Sequence, residues 1–549
     1  MQTQIETQID KKLRGGYYTP KDITTFITKW VISKDTTNIL EPSCGDGQFI
    51  SAAIHRLLEL KTDPDKITSK ITGIEINPSE ARKASKQFTE HSLNPRRAII
   101  TGDFFAKCKE MLTKNATFDG ILGNPPFIRY QDFPEEYRKP ALDLIEKAGL
   151  KQNKLMNIWI PFVVGTTLLL RKEGRIGLVL PAELFQVNYA AQVRKYLSDS
   201  YSKAIIITFR RLVFLDIQQE VILFLGEKDG VKSHGINIIE VDDINSLNEL
   251  DLENIVSDLK ILESSTEKWT KYFLNKEEIN LIKKLKNNAS IPLAKEHISV
   301  DVGVVTGQNK YFVLNKKDIE RFGLGKYTQK IFSRSGQLKG IMALEEDFKE
   351  SIMNGSANFL LRLPDEDYQK LPSNVQNYID MGEKTGIHKG YKCRIRKRWW
   401  VVPSTWTPDA FMLRQVNTYP KLILNKSNAT VTDTVHRVKF IDGAESKLVA
   451  TAFLNSMTLA FSEITGRSYG GGVLTFEPSE AERLPLPLEG AEKLDTSKID
   501  KLVRNGEIEK VLDITDKVLL KDNLGLSETE IRSLRKIWEK LRDRRLNRK

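Results

Sequence analysis

Short apolar runs separated by helix-length segments dominate the first ~230 residues of this chain. Several of the intervening segments, at 47–59, 78–88 and 156–170, repeat their apolar positions with helical spacing. Strands that alternate with helices predict a mostly parallel, doubly wound α/β sheet. The last two apolar runs are close together along the chain and predict a hairpin. The runs are residues 37–40, 71–76, 97–101, 118–122, 175–180, 204–209 and 221–225.

The pattern changes after residue 240. Residues 240–290 have a polar helical pattern with an acidic start, which predicts a connector. Residues 291–490 are richer in Gly, Pro, Trp and β-forming residues without a clean period, and they predict a mixed α+β domain with many loops. From about 495 the pattern is helical, and Ser527 and Glu530 form a capping box before an apolar stripe. The predicted division is 1–245, a connector at 246–290, 291–490, and a helical segment at 491–549.

The composition is that of an ordinary globular protein with an excess of positive charge. Hydrophobic residues make up 40% and charged residues 28%, and the formal net charge is +12. This excess favours a polyanionic partner. No apolar run reaches the ~20 residues that span a bilayer, and the N-terminus lacks a signal pattern, so we expect no membrane association and a cytoplasmic location. Cys44, Cys108 and Cys393 are widely spaced, and the histidines form no HExxH pair, so we predict no metal site.

A glycine-containing turn follows the first apolar run. Gly45 and Gly47 let the backbone approach a ligand closely, and Ser43 lies in the same turn. The turn could be a plain strand-to-helix connection or a dinucleotide site. However, its acids Glu41 and Asp46 would repel a pyrophosphate, and the full G-x-G-x-x-G spacing is missing. They would suit a ligand that carries an ammonium and a sulfonium group.

Two further acids follow the next two predicted strands. Glu75, which precedes Ile76, is placed to accept hydrogen bonds from both hydroxyls of a ribose, although it could also be an acid near a helix N-terminus. Asp103 could accept from an adenine amino group while Phe104 packs on the purine. The alternative for this pair is a loop acid followed by core aromatics. Because parallel strands end at one edge of the sheet, we expect these side chains to line one site.

The fourth predicted strand leads into Asn124-Pro125-Pro126-Phe127. Proline fixes φ and has no N–H, so the Asn124 side-chain oxygen and the Pro125 carbonyl can both accept hydrogen bonds from a planar amine. The ring of Phe127 can stack on a base. This corner therefore predicts a site that holds the amino group of a nucleobase.

Taken together, these motifs resemble the gamma class of DNA adenine-N6 methyltransferases of type II restriction–modification systems, of which the TaqI-type methylases are known examples. The resemblance rests on these segments in this order: Gly16-Tyr17-Tyr18-Thr19-Pro20, the Glu41–Gly47 turn, Gly73-Ile74-Glu75, Gly102-Asp103-Phe104 and Asn124-Pro125-Pro126-Phe127. It implies a class I S-adenosylmethionine-dependent methyltransferase sheet as the catalytic domain, followed by a target-recognition domain. It also implies double-stranded DNA as partner, a separately encoded restriction endonuclease, and a bacterial or archaeal cytoplasm near the nucleoid.

The resemblance also implies roles for individual residues. Tyr18 and Thr19 would lie against the methionine end of the cofactor, Glu75 would hold its ribose, and Asp103 with Phe104 would hold its adenine. The cofactor set as a whole is Tyr18, Thr19, Glu41, Ser43, Gly45, Gly47, Glu75, Ile76, Asp103, Phe104 and Asn124.

A second aromatic residue is expected opposite Phe127, on the other face of a flipped target base. The family usually shows Val-Phe-Pro after the sixth strand, whereas this chain has Val213-Phe214-Leu215. Phe214 is therefore the predicted stacking residue, and a plain core phenylalanine is the alternative. Asn-Pro-Pro-aromatic corners also occur in RNA and protein-glutamine N-methyltransferases, which stay open as other functions. Because the methylase motifs begin at residue 16, we expect no nuclease domain before them.

The later half of the chain supplies candidates for DNA contact. Arg394, Arg396 and Arg398 alternate with other residues beside Trp399, and they would share one face of a strand. A solvated edge strand guarded by charge is the alternative. His436 and Arg437 are candidates for polar loop contacts with base edges.

Overall fold

The computed structural model describes residues 19–95, 97–211, 213, 220–228, 235–251, 255, 259–263, 265–468 and 471–547. The chain divides into two compact units, Met1–Lys276 and Glu277–Leu546. The first unit therefore ends inside the connector that was predicted for residues 246–290. The functional division into four segments remains a prediction.

A nine-stranded sheet in the order β3-β2-β1-β4-β5-β7-β6-β8-β9 forms the centre of the first unit. The first five strands in this order pair in parallel, whereas β7 runs antiparallel to both β5 and β6. The strands are β1 Ile39–Glu41, β2 Ile71–Glu75, β3 Ile99–Thr101, β4 Phe118–Gly123, β5 Leu170–Pro181, β6 Lys203–Phe209, β7 Val221–Lys228, β8 Gly235–Val241 and β9 Lys260–Ile261.

Helices cover both faces of this sheet. One apolar cluster joins residues of the first, second and fourth helices to alternate strand residues such as Ile205 and Ile207. Ile206 between them is equally buried, so the opposite face is covered as well. The helices are α1 Lys21–Val31, α2 Gln48–Glu59, α3 Pro64–Lys70, α4 Pro78–Glu90, α5 Phe104–Thr113, α6 Glu135–Lys147, α7 Trp159–Leu169 and α8 Ala191–Ser200.

The predicted doubly wound α/β sheet is confirmed, and each of the seven predicted strands is present. The predicted hairpin is also confirmed as the antiparallel pair β6–β7. The strand β8 was not predicted, because the polar residues Asn237 and Glu240 interrupt its apolar positions. This strand pairs in parallel with β6 over seven positions, and the pairing stabilises a segment whose own pattern of apolar positions is incomplete.

Three smaller sheets form the second unit, with the strand orders β10-β19-β15-β17-β13, β11-β14-β12-β18 and β16-β21-β20. This mixture fits the predicted α+β organisation. The strands are β10 Ile298–Val302, β11 Val313–Leu314, β12 Thr328–Phe332, β13 Met342–Ala343, β14 Phe359–Leu361, β15 Ala410–Leu413, β16 Gln415–Val416, β17 Leu422–Asn425, β18 Thr430–Val431, β19 Val435–Phe440, β20 Arg467–Ser468 and β21 Leu474–Thr475.

From residue 496 onwards the second unit is mostly helical, as predicted for the C-terminal segment. A π-helical stretch, Asp516–Asn523, precedes the last helix. The helices are α9 Lys276–Lys286, α10 Asn309–Phe312, α11 Lys316–Phe322, α12 Glu345–Met353, α13 Ser373–Lys384, α14 Tyr391–Arg394, α15 Ser446–Ala452, α16 Ser456–Thr465, α17 Pro478–Ala481, α18 Thr496–Arg504, α19 Ile508–Thr515 and α20 Glu528–Leu546.

The last helix, α20, is fixed at both ends. At its start Ser527 Oγ accepts from the Glu530 N–H at 3.2 Å and Glu530 Oε2 accepts from the Ser527 N–H at 2.9 Å, which confirms the predicted capping box. Near its end Arg545 forms an ion pair of 2.8 Å with Glu463 of α16, and both side chains are 2% exposed. Arg545 also donates to the Gly472 carbonyl at 2.6 Å.

Within the described residues, no single helix is long and apolar enough to cross a bilayer. The pair α15 and α16 reaches the required length and composition only when the two are counted together across a bend of 75°.

The buried Arg545–Glu463 pair predicts a stability effect. Arg545→Ala leaves the Glu463 carboxylate buried without its partner, and we expect the free energy of unfolding of the second unit to fall by about 3–5 kcal/mol. Urea denaturation followed by tryptophan fluorescence measures this loss. Lys536→Ala, an exposed position on the same helix, is the matched control and should change stability little. An equal loss in both variants would contradict the assigned role of the pair.

Candidate active site

Four polar side chains follow the carboxyl ends of β1, β2, β3 and β4. These strands are parallel neighbours, so their ends meet at one edge of the sheet. Glu41 ends β1, Glu75 ends β2, Asp103 follows β3 and Asn124 follows β4. Ligands of open α/β sheets bind at this edge. The structure thus places the predicted acids and the amide at the expected edge.

The turn after β1 packs closely on its surroundings. Gly47 has φ +92°, and a Cβ there would lie 2.7 Å from the Ala84 Cα in α4. Only glycine fits that position without moving the backbone of α4. The Cys44 N–H donates to the Ile74 carbonyl at 2.9 Å, which ties the turn to β2. The turn is therefore held in one conformation at the edge of the sheet.

Glu75 joins two segments of the site. Its Oε2 accepts from the Gly45 N–H at 2.9 Å and its Oε1 accepts from the Asn77 N–H at 2.8 Å. Burial raises the pKa of this carboxyl, whereas these two hydrogen bonds oppose the rise. Asn77, which was not predicted as a site residue, also caps α4 through its side chain. The Asn-Pro pair at a helix start is the signal that could have identified it.

Ile76 and Asp103, which follow Glu75 in the predicted cofactor set, have different surroundings. Ile76 is 43% exposed, which is unusual for a large apolar side chain and offers a surface for a flat ring. Asp103 caps α5 by accepting from the Ala106 N–H at 2.7 Å. Burial raises the pKa of the Asp103 carboxyl. Asp103 therefore serves as a helix cap, and its predicted contact with adenine remains a prediction.

The predicted role of Phe104 needs correction. Its side chain is 2% exposed and stacks on Phe162 with ring centroids 4.9 Å apart, while Phe105 packs at its edge. The ring therefore has no open face for a purine. Phe104 is a core aromatic between α5 and α7, because the first residue of α5 turns inward once Asp103 has capped the helix.

The Asn124 corner is built from three distant parts of the chain. Asn124 Nδ2 donates to Thr19 Oγ1 at 3.1 Å, which orients the amide so that Oδ1 is its accepting end. Ser43 Oγ donates to the Asn124 carbonyl at 3.4 Å. Thr19 is buried and Asn124 is half-buried. The Thr19 segment, the glycine turn and the corner after β4 thus meet at one place.

Of the aromatic residues predicted near Asn124, only some lie among the described residues. Phe127 is half-buried and packs against the same apolar cluster as Val213, which lies in the segment after β6. Pro125 is buried and Pro126 is half-buried. Phe214 and Tyr18 lie outside the described residues, so their predicted roles stay predictions.

Glu41 gives the site its electrostatic character. It is 2% exposed, and its Oε2 is buried without a hydrogen-bond partner among the described residues. Burial raises the pKa of this carboxyl well above its ordinary value, and the nearby charges of Asp46 and Glu75 raise it further. An acceptor in such a setting fits a cationic group. The ammonium and sulfonium of S-adenosylmethionine match this requirement.

The predicted strand over residues 394–398 is wrong. Tyr391–Arg394 form the short helix α14, because the Arg394 N–H donates to the Gly390 carbonyl at 2.9 Å. Arg396 donates to the Thr306 carbonyl at 2.7 Å, and Arg398 pairs with Asp365 and with Asp367. The three arginines therefore do not share one strand face, and two of them have internal partners.

Trp399 also turns inward. Its Nε1 donates to Glu383 at 3.1 Å, and its ring lies 5.4 Å from that of Tyr311. The ring therefore belongs to the packing of the second unit.

The predicted loop contacts of His436 and Arg437 are contradicted as well. Both residues lie in the strand β19, where they are 0% and 2% exposed. His436 Nε2 is 2.8 Å from the Phe476 carbonyl, and Arg437 pairs with Asp301 at 2.9 Å. These polar side chains stabilise the interior of the second unit because each has internal partners.

Comparison with known proteins agrees with the geometry of this site. A family model described as N-6 DNA Methylase matches residues 4–301. The chain belongs to the N-6 DNA methylase family. A second model, described as the C-terminal domain of the type II methyltransferase M.Eco57I, matches residues 266–520 of this N-6 DNA methylase.

The similarity to individual type II methyltransferases extends along most of the chain. M.AccI of Acinetobacter calcoaceticus is 23% identical over 495 residues, which cover 86% of this chain and 85% of that protein. M.XamI of Xanthomonas campestris pv. amaranthicola is 22% identical with the same coverage.

A solved structure shows the same fold. The type IIL restriction-modification enzyme MmeI, determined in complex with DNA, has a TM-score of 0.60 and 13% identity over 95% of this chain and 75% of that chain. The N-6 DNA methylase chain therefore has the class I S-adenosylmethionine-dependent methyltransferase fold, as predicted. It is a DNA methyltransferase of the restriction–modification type.

The buried Glu41 predicts a pH-dependent stability of the free protein. Because its pKa is higher in the folded than in the unfolded chain, the folded chain binds more protons, and stability falls as pH rises above the ordinary carboxyl range. Glu41→Gln should remove this dependence and raise the free energy of unfolding at pH 8 by about 1–2 kcal/mol, because the neutral amide has no charge to bury and each unit of pKa shift corresponds to about 1.4 kcal/mol.

Urea denaturation of the first unit at pH 5, 6.5 and 8 checks this expectation. Glu90→Gln, which changes an exposed carboxyl on α4, is the matched control and should follow the unsubstituted protein. A Glu41→Gln variant that is less stable at pH 8 would show that the carboxylate has a partner in the free protein.

Proposed function

We propose that this protein transfers a methyl group from S-adenosylmethionine to N6 of adenine in double-stranded DNA. The observation that carries the proposal is the Asn124 amide, which is oriented by Thr19 and joined to the glycine turn through Ser43. Membership of the N-6 DNA methylase family supports the same reaction.

The acids of the strand ends would hold the cofactor. Glu75 would accept from the ribose hydroxyls, and the exposed side chain of Ile76 would pack on the adenine ring beside Asp103. Glu41, whose Oε2 is buried without a hydrogen-bond partner in the described part of the chain, would meet the ammonium group near Thr19. The bound cofactor would supply the electrophilic methyl group.

The Asn124 corner would act on the target amine. The lone pair of an adenine amino group is delocalised into the ring, so the nitrogen is a poor nucleophile. Asn124 Oδ1 and the Pro125 carbonyl would each accept one N–H and draw the nitrogen towards a tetrahedral shape. This is catalysis by positioning and electrostatics, and it requires no strong base before the transfer because the methylated amine loses its proton readily.

The target base would have to leave the duplex, because its amino group is buried in the base pair. Extrusion costs a few kcal/mol, which stacking and hydrogen bonds in the pocket offset. Phe127, half-buried beside the corner, would stack on one face of the base. Phe214 is the predicted partner for the other face.

The cellular role would be protection of host DNA. The matched relatives are named type II methyltransferases. A methylase of this type would modify the sites that a cognate, separately encoded restriction endonuclease cuts.

The role of Asn124 predicts a selective loss of catalysis. Asn124→Ala removes one of the two acceptors, and we expect methyl transfer to fall by about 100-fold to 1,000-fold or more while the affinity for S-adenosylmethionine changes little. Nucleoside mass spectrometry of methylated plasmid DNA and calorimetric titration of the cofactor measure the two effects. Asn245→Ala, which changes an exposed side chain of the same unit, is the matched control.

The fate of a labelled methyl group tests the substrate class. With tritiated cofactor, the label should appear in DNA as N6-methyladenine. Label in ribosomal RNA or in protein glutamine would contradict the proposed substrate. Wild-type activity of Asn124→Ala would contradict the proposed mechanism.

Replacing Glu41 by a neutral residue should weaken the binding of the cofactor. A charge-assisted hydrogen bond contributes about 1.5–3 kcal/mol, so Glu41→Gln should lower the affinity for S-adenosylmethionine by about 10-fold to 100-fold. Calorimetric titration at pH 7 measures the change, and Glu90→Gln is again the matched control. An unchanged affinity would show that the ammonium group binds elsewhere.

A further inference from the structure

A run of unpaired positive charge lies on the second unit at residues 389–397, called here the basic segment. Lys389, Lys392, Arg394 and Lys397 are all exposed. Among the described residues, these four side chains form no ion pair with a carboxylate, and the Lys392 ammonium lies 5.7 Å from the centroid of the Tyr391 ring. This stretch is therefore a local concentration of positive charge that no ion pair compensates.

Two large apolar side chains are exposed in the same segment. Tyr391 is 64% exposed and Ile395 is 60% exposed. They are four residues apart across a helical turn, which places them on one face. Exposed apolar side chains of this size, surrounded by cations, are typical of a surface that contacts another molecule. Cations of this kind contact the phosphates of a duplex, and apolar side chains beside them can pack on the sugars.

The basic segment is anchored from beneath. Cys393 is 1% exposed and belongs to the apolar core of this part of the unit. Arg396 donates to the carbonyls of Val305 and Thr306 at 3.1 and 2.7 Å, and it lies 5.5 Å over the Phe312 ring. The half-buried Arg396 therefore fixes the backbone, while the exposed cations on either side face solvent. A fixed backbone lowers the entropy cost of binding.

A second exposed segment lies directly beside the first. Gly307 has φ +78°, and a Cβ there would lie 2.7 Å from the Lys392 Cβ. The residues that follow it, Gln308, Asn309 and Lys310, are all exposed. Side-chain amides pair with the edges of bases, adenine above all, and lysine contacts phosphates. The close approach at Gly307 thus brings potential base-reading groups next to the uncompensated charge.

We propose that the basic segment, together with residues 307–310, binds duplex DNA. Lys389, Lys392, Arg394 and Lys397 contact phosphates, and Tyr391 with Ile395 supplies an apolar contact to sugar or base. The inference rests on the proposed function, because it assigns the surface by which that enzyme holds its substrate. Charge complementarity selects DNA as the occupant, since the phosphate backbone is the polyanion that a DNA methyltransferase must bind.

Salt dependence of DNA binding tests the charged part of this surface. The variant with Gln at positions 389, 392, 394 and 397 should bind a 30-base-pair duplex about 100-fold or more weakly at 0.1 M salt. Its plot of log affinity against log salt concentration should be shallower by about 3–4, since each lost phosphate contact removes about 0.9. Fluorescence anisotropy of a labelled duplex gives both quantities.

A charge-matched variant is the control. Lys349, Lys498, Lys501 and Lys536 are exposed lysines of the same unit, and their replacement by Gln changes the net charge equally. This control should keep a slope close to that of the unsubstituted protein. Equal slope changes in both variants would overturn the proposal, because the effect would then arise from net charge alone. Unchanged affinity for S-adenosylmethionine in both variants verifies that the first unit is folded.

The two exposed apolar side chains of the basic segment are tested by a second variant. Tyr391→Ser with Ile395→Ser should weaken DNA binding about 10-fold, because buried apolar area is lost, without changing the salt slope, because no ionic contact is lost. Unchanged affinity in this variant would exclude the two side chains from the interface.

The assay involves no methyl transfer, so an unsubstituted protein that fails to bind DNA contradicts the proposed function. Normal binding with an unaltered slope in the Gln variant contradicts only this surface.

Discussion

The carboxyl ends of four parallel strands meet at one edge of the sheet, and this single constraint makes the rest of the site possible. Parallel pairing of β1 with β2 and β4, and of β2 with β3, brings Glu41, Glu75, Asp103 and Asn124 together from separate parts of the sequence. The carboxylate of Glu75 reinforces the arrangement by accepting from Gly45 and from Asn77. The sheet sets the positions, and the hydrogen bonds fix the turns between them.

Two side chains at the same edge have surroundings that do not favour the stability of the free protein. Glu41 is buried beside other acids, and one of its oxygens has no hydrogen-bond partner among the residues that the structure describes, while Ile76 exposes an apolar side chain to solvent. Both are unfavourable in the free protein. A cationic, ring-bearing ligand would relieve both at once, because it would bring a positive charge to Glu41 and a flat apolar face to Ile76. Side chains that are unfavourably placed in the free protein, and that a ligand would satisfy, are typical of a binding site.

Sequence patterns predicted the first unit well because its elements follow local rules. Short apolar runs and helical patterns predicted the strands and helices, and the acids at the strand ends predicted where a site would lie. What failed depended on partners that are remote in sequence. Phe104 follows an acid that the family motif links to adenine, yet Phe162 of another helix buries it. His436 and Arg437 look like loop residues until pairing with β10 places them in the interior. No local pattern carries that information.

The cations of the second unit show why composition alone could not find a DNA surface. Arg396, Arg398, Arg437 and Arg545 each bind carboxylates or carbonyls inside the unit, and each was as conspicuous in the sequence as any exposed cation. Arginine suits this internal role because its fork of donors satisfies several acceptors at once. The charge that remains available is mostly lysine, which keeps its ammonium hydrated and makes few internal bonds. Sorting cations by what they already contact, rather than by how densely they occur, therefore identifies Lys389, Lys392, Arg394 and Lys397 as neighbouring exposed cations that form no ion pair among the described residues.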